Sequence, residues 1–146
     1  MTDMKDGVQD LLDRQAIAAL QAQFAQALDG GTLAQFLGVF TPDVAYSNGP
    51  RVLTGHDGLA GFFQARAAAG RVSRHLMSGL DIRFDGSDRA RSHSVWLSFA
   101  GEGPLPVSSA DPFLVADMHD DYIRTAEGWR IARRQITPAF RNPAIG

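Results

Sequence analysis

Apolar positions follow a helical period over most of the first seventy residues and a two-residue period afterwards. Leu12, Ala16, Leu20, Phe24 and Leu28 recur every four residues, and Leu11, Ile17 and Ala27 widen the stripe. Gln15, Gln21, Gln23 and Gln26 fall mostly off it, so an amphipathic first helix is expected. Gly30-Gly31 is a good stop for it, because glycine enters the left-handed conformation at little cost. Leu33, Phe36, Leu37 and Phe40 predict a short second helix ended by Pro42. Residues 44–47 read as a strand closed by the turn signal Asn48-Gly49-Pro50. A third helix is expected over 56–69, with Leu59, Phe62, Phe63 and Ala67 on its apolar face and Gly70 as its stop.

Beyond that point alternation takes over. Leu80, Ile82 and Phe84 alternate with Asp81, Arg83 and Asp85 before the turn Gly86-Ser87-Asp88. Val95, Leu97 and Phe99 share one strand face, with Ser92, Ser94, Trp96 and Ser98 on the other. A Gly-, Pro- and Ser-rich loop over 101–112 leads to strands over about 113–125 and 129–137, joined at Ala126-Glu127-Gly128. Three helices followed by a run of antiparallel strands define an α+β fold.

Composition narrows the chemistry. The 146 residues fit one domain spanning 1–146. The absence of cysteine excludes disulfides, thiolate metal sites and a cysteine nucleophile. The cytoplasm suits such a chain. Fourteen basic residues against sixteen acidic ones remove the electrostatic case for nucleic acid. The Met1-Thr2-Asp3-Met4-Lys5-Asp6 start lacks the basic and apolar regions of a signal peptide. The longest wholly apolar run, 16–20, is far short of the roughly 20 residues a membrane helix needs, so no membrane partner is expected. Serine-hydrolase elbows, phosphate-binding glycine loops and dinucleotide fingerprints are absent, and no cofactor is expected.

Two residues invite chemistry. Asp29 falls in the last turn of the first helix, where a carboxylate opposes the helix dipole at a cost of about 0.3–1 kcal/mol. It reads either as a functional carboxylate or as an exposed cap for the loop at Thr32 and Leu33. His75 shares a strand face with Ser73 and Met77. It reads either as a proton-transfer group, which its ordinary pKa near 6.5 suits, or as a pocket or interface histidine with its hydrogen bonds satisfied. In Asp117-Met118-His119-Asp120-Asp121 the odd positions face one way and the even positions the other. A solvated sheet edge explains this run better than a metal site. Asp120 suits a structural ion pair with Arg74, Arg133 or Arg134, and His93 suits packing or an interface. Cross-strand pairing with Asp117, Asp120 and Asp121 accounts for Arg130, Arg133, Arg134 and Arg141 better than a phosphate does.

Several stretches in this order resemble the SnoaL-like branch of the NTF2-like superfamily. They are Ala27-Leu28-Asp29-Gly30-Gly31-Thr32-Leu33, Val39-Phe40-Thr41-Pro42-Asp43-Val44-Ala45-Tyr46, Leu53-Thr54-Gly55-His56-Asp57-Gly58-Leu59 and Ser73-Arg74-His75-Leu76-Met77-Ser78-Gly79, then Asp120-Asp121-Tyr122-Ile123-Arg124 and Gly128-Trp129-Arg130-Ile131-Ala132-Arg133-Arg134. The resemblance spans about residues 8 to 138. It implies a curved antiparallel sheet wrapped against three helices into an open cone, an apolar pocket inside and a homodimer through the outer sheet face.

The group includes ketosteroid isomerases, scytalone and bile-acid dehydratases, polyketide cyclases and dioxygenase small subunits, so the fold alone names no activity. In its dehydratases an aspartate ending the first helix pairs with a histidine after the third, which matches Asp29 and His75. The resemblance therefore implies a catalytic Asp29–His75 dyad acting on a small apolar carbonyl or polycyclic compound, by dehydration, isomerisation or cyclisation. Phe24, Tyr46, Phe62, Phe63, Trp96, Met118 and Asp120 are expected around the pocket, with Tyr46 or Trp96 as possible donors. The departures are specific. Phe24 stands where dehydratases and isomerases carry a tyrosine, and Asn48 where isomerases carry an aspartate base. Ser98 or Ala100 stands where other dehydratases carry a further histidine or aspartate. These departures leave a second reading open, a non-catalytic cone that binds a ligand or serves in assembly.

Overall fold

The structure, a computed structural model, describes residues 4–145; the sequence reading of Met1-Thr2-Asp3 and of Gly146 lies outside them. Helix α1 (Met4–Gly30) buries Asp13, Ile17, Leu20, Gln21, Phe24 and Ala27. Its buried face is thus rotated from the four-residue stripe: Leu11 and Leu12 are exposed, and Gln21 lies inside. The rotation has an electrostatic cause. Asp13 accepts hydrogen bonds from Arg124 (2.8 Å) and Trp129 (3.1 Å), and Gln21 bonds Asp120 (3.0 Å), so polar partners in the sheet offset the burial of both side chains.

Helix α2 (Leu33–Leu37) starts on a capping box in which Thr32 and Gln35 exchange side-chain and backbone hydrogen bonds. It ends before Phe40, contrary to the helical spacing. The Val39 carbonyl accepts from the Ile131 amide (2.9 Å), and Phe40 opens strand β1 (Phe40–Asn48). Pairing with a neighbouring strand prevails over local periodicity there. Pro42 therefore lies within β1 and does not end a helix; it falls where the register shifts between Phe40 and Ala45, so no ladder bond is lost. A short strand β2 (Arg51–Thr54), absent from the sequence reading, completes a hairpin with β1. Helix α3 (Gly55–Ala68) follows at once.

Four long strands, β3 (Arg71–Asp85), β4 (Arg89–Glu102), β5 (Leu114–Thr125) and β6 (Gly128–Arg141), follow, and a single 3-10 turn (Pro143–Ile145) ends the described chain. The sheet order is β2-β1-β6-β5-β4-β3. Every neighbouring pair is antiparallel except β1 and β6, which run parallel, so the sheet is mixed and open. The cause is topological. Helix α3 carries the chain across to the far edge, and three hairpins return it to β1 pointing along β1. Bulges bend the long strands around the helices. In β3 the bulge lies between Ser78 and Asp81, where Gly79 has φ +64°, a conformation that costs a residue with a side chain.

The two faces of β4 divide as alternation predicts, with the serines inside. Ser92, Ser94, Trp96 and Ser98 are buried, whereas Val95, Leu97 and Phe99 are half-buried on the outer face. Ser92 bonds the Tyr122 hydroxyl (2.7 Å) and Ser94 accepts from the Trp96 indole (2.9 Å), so these small polar groups are satisfied. His93 and His119 stack on the outer face with centroids 4.8 Å apart, and His93 bonds Asp117 (2.7 Å). Ile17, Phe24, Phe36, Phe40, Leu59, Trp96 and Ile131 belong to the core between helices and sheet.

Candidate active site

Asp29 and His75 meet where α1 ends beside β3. The Asp29 carboxylate lies 2.6 Å from His75 Nδ1, accepts from the His75 amide (2.9 Å) and accepts from the Ser73 hydroxyl (2.8 Å). Strand β3 is the edge of the sheet, so its outward amide is available to a side chain. Burial opposes the charged form of Asp29, but the hydrogen bonds from the His75 ring and amide and from Ser73 prevail and hold it below the usual carboxylate range. These donors also offset its unfavourable place at a helix C-terminus. Arg66 of α3 donates to Ser73 (2.9 Å), which extends the array to a guanidinium.

A neutral ring whose Nδ1 meets a carboxylate carries its proton on that nitrogen and leaves Nε2 as the lone-pair nitrogen. Nε2 has no partner among the described residues, and His75 lines a cavity of about 750 Å³. Phe24, Tyr46, Phe62, Trp96 and Met118 line the same cavity. Phe24 lies edge-on to His75 (6.2 Å between centroids) and to Trp96 (5.7 Å), so the wall beside the histidine is aromatic. A larger hollow of about 1120 Å³ lies under the 103–112 loop; it shares Ala69, Arg71, Ser73, Ala100 and Asn142 with the cavity but not His75, Phe24 or Trp96.

Two expected pocket residues lie elsewhere. Phe63 does not line the cavity; it packs against Phe36 (5.4 Å), because the α3 face that carries it turns toward α2. Asp120 also lies away from the cavity surface, in a buried ion pair with Arg134. Arg134 donates from Nε and Nη2 to the two Asp120 oxygens (2.8 Å each), and both side chains are 0% exposed. Gln21 bonds both members of the pair, and Tyr122 donates to Asp120 (3.2 Å). The guanidinium lies 4.3 Å from the Phe24 ring and 5.8 Å from that of Trp96. The pair thus lies directly behind the aromatic cavity wall.

The two donors named from sequence differ in availability. Trp96 spends its indole proton on Ser94. The Tyr46 hydroxyl has no partner among the described residues and lines the cavity, and burial pushes its pKa up to about 12, so it stays a proton-bearing donor. Among the described residues no group of three or more His, Cys, Asp or Glu is arranged to hold a metal ion. The predicted cross-strand pairing of arginines gives an ion pair for Arg134 and sets Arg133 opposite Asp121, where its guanidinium bonds Gln135; it does not hold for Arg130, which bonds its own strand's carbonyl at Trp129, or for Arg141, which lines the cavity. Sequence reading missed Gln21, Ser73 and Arg66. Ser73 alone left a trace, as the residue two before His75 on the same strand face.

Comparison with known proteins bears on the family and the fold. The family model for the SnoaL-like domain matches residues 9–135. An uncharacterised protein of Mycobacterium tuberculosis is 30% identical over 141 residues, covering 92% of this chain and 90% of that one. Among solved structures, an NTF2-like protein with a cystatin-like fold from Novosphingobium aromaticivorans superposes with a TM-score of 0.79 at 22% identity, covering 99% of this chain and 96% of that chain. A protein from the same species, named as a candidate scytalone dehydratase, gives a TM-score of 0.81 at 18% identity, covering 93% and 90%. At such identities the structural likeness speaks for the fold alone. No helix among the described residues is long and apolar enough to cross a membrane. Helices packed on an open mixed sheet, a cavity between them and a family match over most of the length lead to one assignment: the chain belongs to the SnoaL-like domain family, with the NTF2-like fold.

Proposed function

We propose that the cavity is an acid–base active site in which Asp29 and His75 dehydrate, isomerise or cyclise a small apolar carbonyl or polycyclic compound. The observation that carries this reading is the 2.6 Å contact from Asp29 to His75 Nδ1, with Nε2 unpartnered at an aromatic cavity wall. Asp29 fixes the tautomer and stabilises the imidazolium that forms. Nε2 takes a proton from the carbon beside the carbonyl. The Tyr46 hydroxyl donates to the carbonyl oxygen, where negative charge develops. In a dehydration the imidazolium returns the proton to the departing hydroxyl, the C–O bond breaks and water leaves. In an isomerisation the same proton returns to a different carbon. One general acid–base group contributes about 10²–10⁴ in rate, so substituting His75 should cost that much.

Native mass spectrometry of the purified protein identifies a co-purified ligand and hence a substrate class. Turnover of hydroxylated cyclic ketones is then compared between wild type and His75→Asn. Equal turnover would sink the enzyme reading. The phenylalanine at position 24, where related enzymes carry tyrosine, favours the second reading, a non-catalytic ligand-binding cone. That reading predicts a bound ligand recovered unchanged and no dependence of any rate on His75. We also propose that the half-buried outer-face residues Val95, Leu97 and Phe99 seat a second copy of the chain.

A further inference from the structure

Away from the cavity, four arginines pair with carboxylates: Arg14 with Asp10, Arg83 with Asp81, Arg124 with Asp13 and Asp88, and Arg134 with Asp120. Arg74, Arg130 and Arg133 instead bond oxygens of Ser73, Trp129 and Gln135. The cavity gathers four more. Arg51, Arg66, Arg71 and Arg141 all line it, and among the described residues no aspartate or glutamate does; the Asp29 carboxylate lies behind the lining, bonded to His75 and Ser73. Arg51, Arg66 and Arg141 have no carboxylate partner among the described residues. Arg66 donates to the Ser73 hydroxyl (2.9 Å), and the Arg51 and Arg66 guanidiniums each lie 5.7 Å from the Phe62 centroid. Arg71 lies over Phe113 at 4.9 Å. The chain as a whole carries a net charge of −2, so a carboxylate-free wall with four arginines is not a reflection of composition.

Burial, and then the neighbouring Arg71, push the pKa of Arg66 down and prevail over Tyr46 and Asp29, which act the other way; burial, and then Arg51, lower that of Arg71. Arg66 and Arg71 are therefore partly desolvated, and Arg71 lies near enough to Arg66 and to Arg51 for like charges to be felt. Arg51 and Arg141 are exposed, whereas Phe24, Trp96 and Met118 are at most 4% exposed, so the positive charge lies toward the opening and the apolar wall lies deeper. A guanidinium offers a planar fork of donors that matches an oxyanion.

Resting on the proposal that this cavity holds the ligand, we infer that the ligand is an organic anion: a ring-sized apolar body bearing a carboxylate, sulfonate or phosphate. The anionic group sits among Arg51, Arg66 and Arg141, and the apolar body reaches Phe24, Trp96 and His75. This orients the molecule end-on, so the reacting carbon is presented to Nε2 by a charge anchored at the mouth.

A matched pair of fluorescent probes tests the inference without turnover. 8-Anilinonaphthalene-1-sulfonate and N-phenyl-1-naphthylamine share one ring system and differ by the sulfonate. The sulfonate probe should bind at least about tenfold more tightly. Its affinity should fall by about tenfold in each of Arg51→Gln, Arg66→Gln and Arg141→Gln, while that of the neutral probe stays unchanged. Raising salt from about 0.02 M to about 0.3 M should weaken only the sulfonate probe. Ser98→Phe, which fills the cavity, should abolish both signals and so locate the site. Equal affinity for the two probes, equal loss of both in the arginine variants, or retention of sulfonate binding in Ser98→Phe would overturn the inference. The dyad proposal fails on a different measurement, the turnover of His75→Asn, so the two can be refuted separately.

Discussion

Asp120→Asn tests the buried ion pair that backs the cavity wall. In the wild type one Asp120 oxygen accepts from Arg134 Nε, and the other accepts from Arg134 Nη2, Gln21 and Tyr122. An asparagine keeps the shape but has only one oxygen. Its cheaper orientation places that oxygen where three donors converge and turns its NH₂ toward Arg134 Nε, so one hydrogen bond becomes a donor–donor contact. The larger effect is on charge. Arg134 is 0% exposed and would lose its only carboxylate partner among the described residues. Removing one member of a buried pair typically costs about 3–5 kcal/mol, because the remaining charge stays desolvated. That is a large share of the roughly 5–15 kcal/mol by which a domain is stable. It corresponds to a Tm lower by about 6–20 °C. Urea unfolding followed by far-UV circular dichroism measures the change, with calorimetry for Tm. The double variant Asp120→Leu/Arg134→Met should lose less than the two single variants summed, by about 2 kcal/mol or more. A loss under about 1 kcal/mol in Asp120→Asn, or simple additivity in the cycle, would refute the reasoning and mean that the guanidinium is solvated from the cavity.

Three further outcomes are expected. Phe24→Ala removes a ring that is 1% exposed and touches Phe36, Phe40, Trp96, His75 and Arg134, so it should cost about 3–5 kcal/mol in urea unfolding. Asp29 has a folded pKa below its ordinary 3.8, so its ionised form contributes stability above that value, and the contribution is lost as pH falls through the folded pKa. The stability gap between wild type and Asp29→Asn should therefore be widest near neutrality and close in acid, and nitrogen NMR of His75 should show the Nδ1–H tautomer only in the wild type. Leu97→Glu places a charge on the proposed contact face and should convert a sedimenting dimer to monomer, whereas a wild type already monomeric at micromolar concentration would remove that proposal.

The order of elements was written locally. The glycine stop after Leu28, the helical spacing of Leu59 and Phe62, and the alternation of the four late strands each depend on neighbours within a few residues, and the structure follows them. Asp29 and His75 were also legible, but only as two residues in familiar positions; nothing local brings a helix end to a strand forty-six residues away. The face that α1 presents to the core was misread for a related reason. Period alone assigns Gln21 to the solvent, and its partners Asp120, Tyr122 and Arg134 lie about a hundred residues downstream.

The sequence by itself therefore determined the helices, the late strands and the family, because period, turn chemistry and glycine placement act over short range. The tertiary structure decided three things that depend on non-local contact. It set β1 parallel to β6, since the crossover through α3 leaves the chain no other direction of return. It chose Arg134 as the partner of Asp120 from among several arginines, by placing the two opposite each other in the register of β5 and β6. It also left Arg141 at the cavity, away from the acidic run on the neighbouring strand, since that register places Arg141 opposite Leu114 and well beyond Asp117.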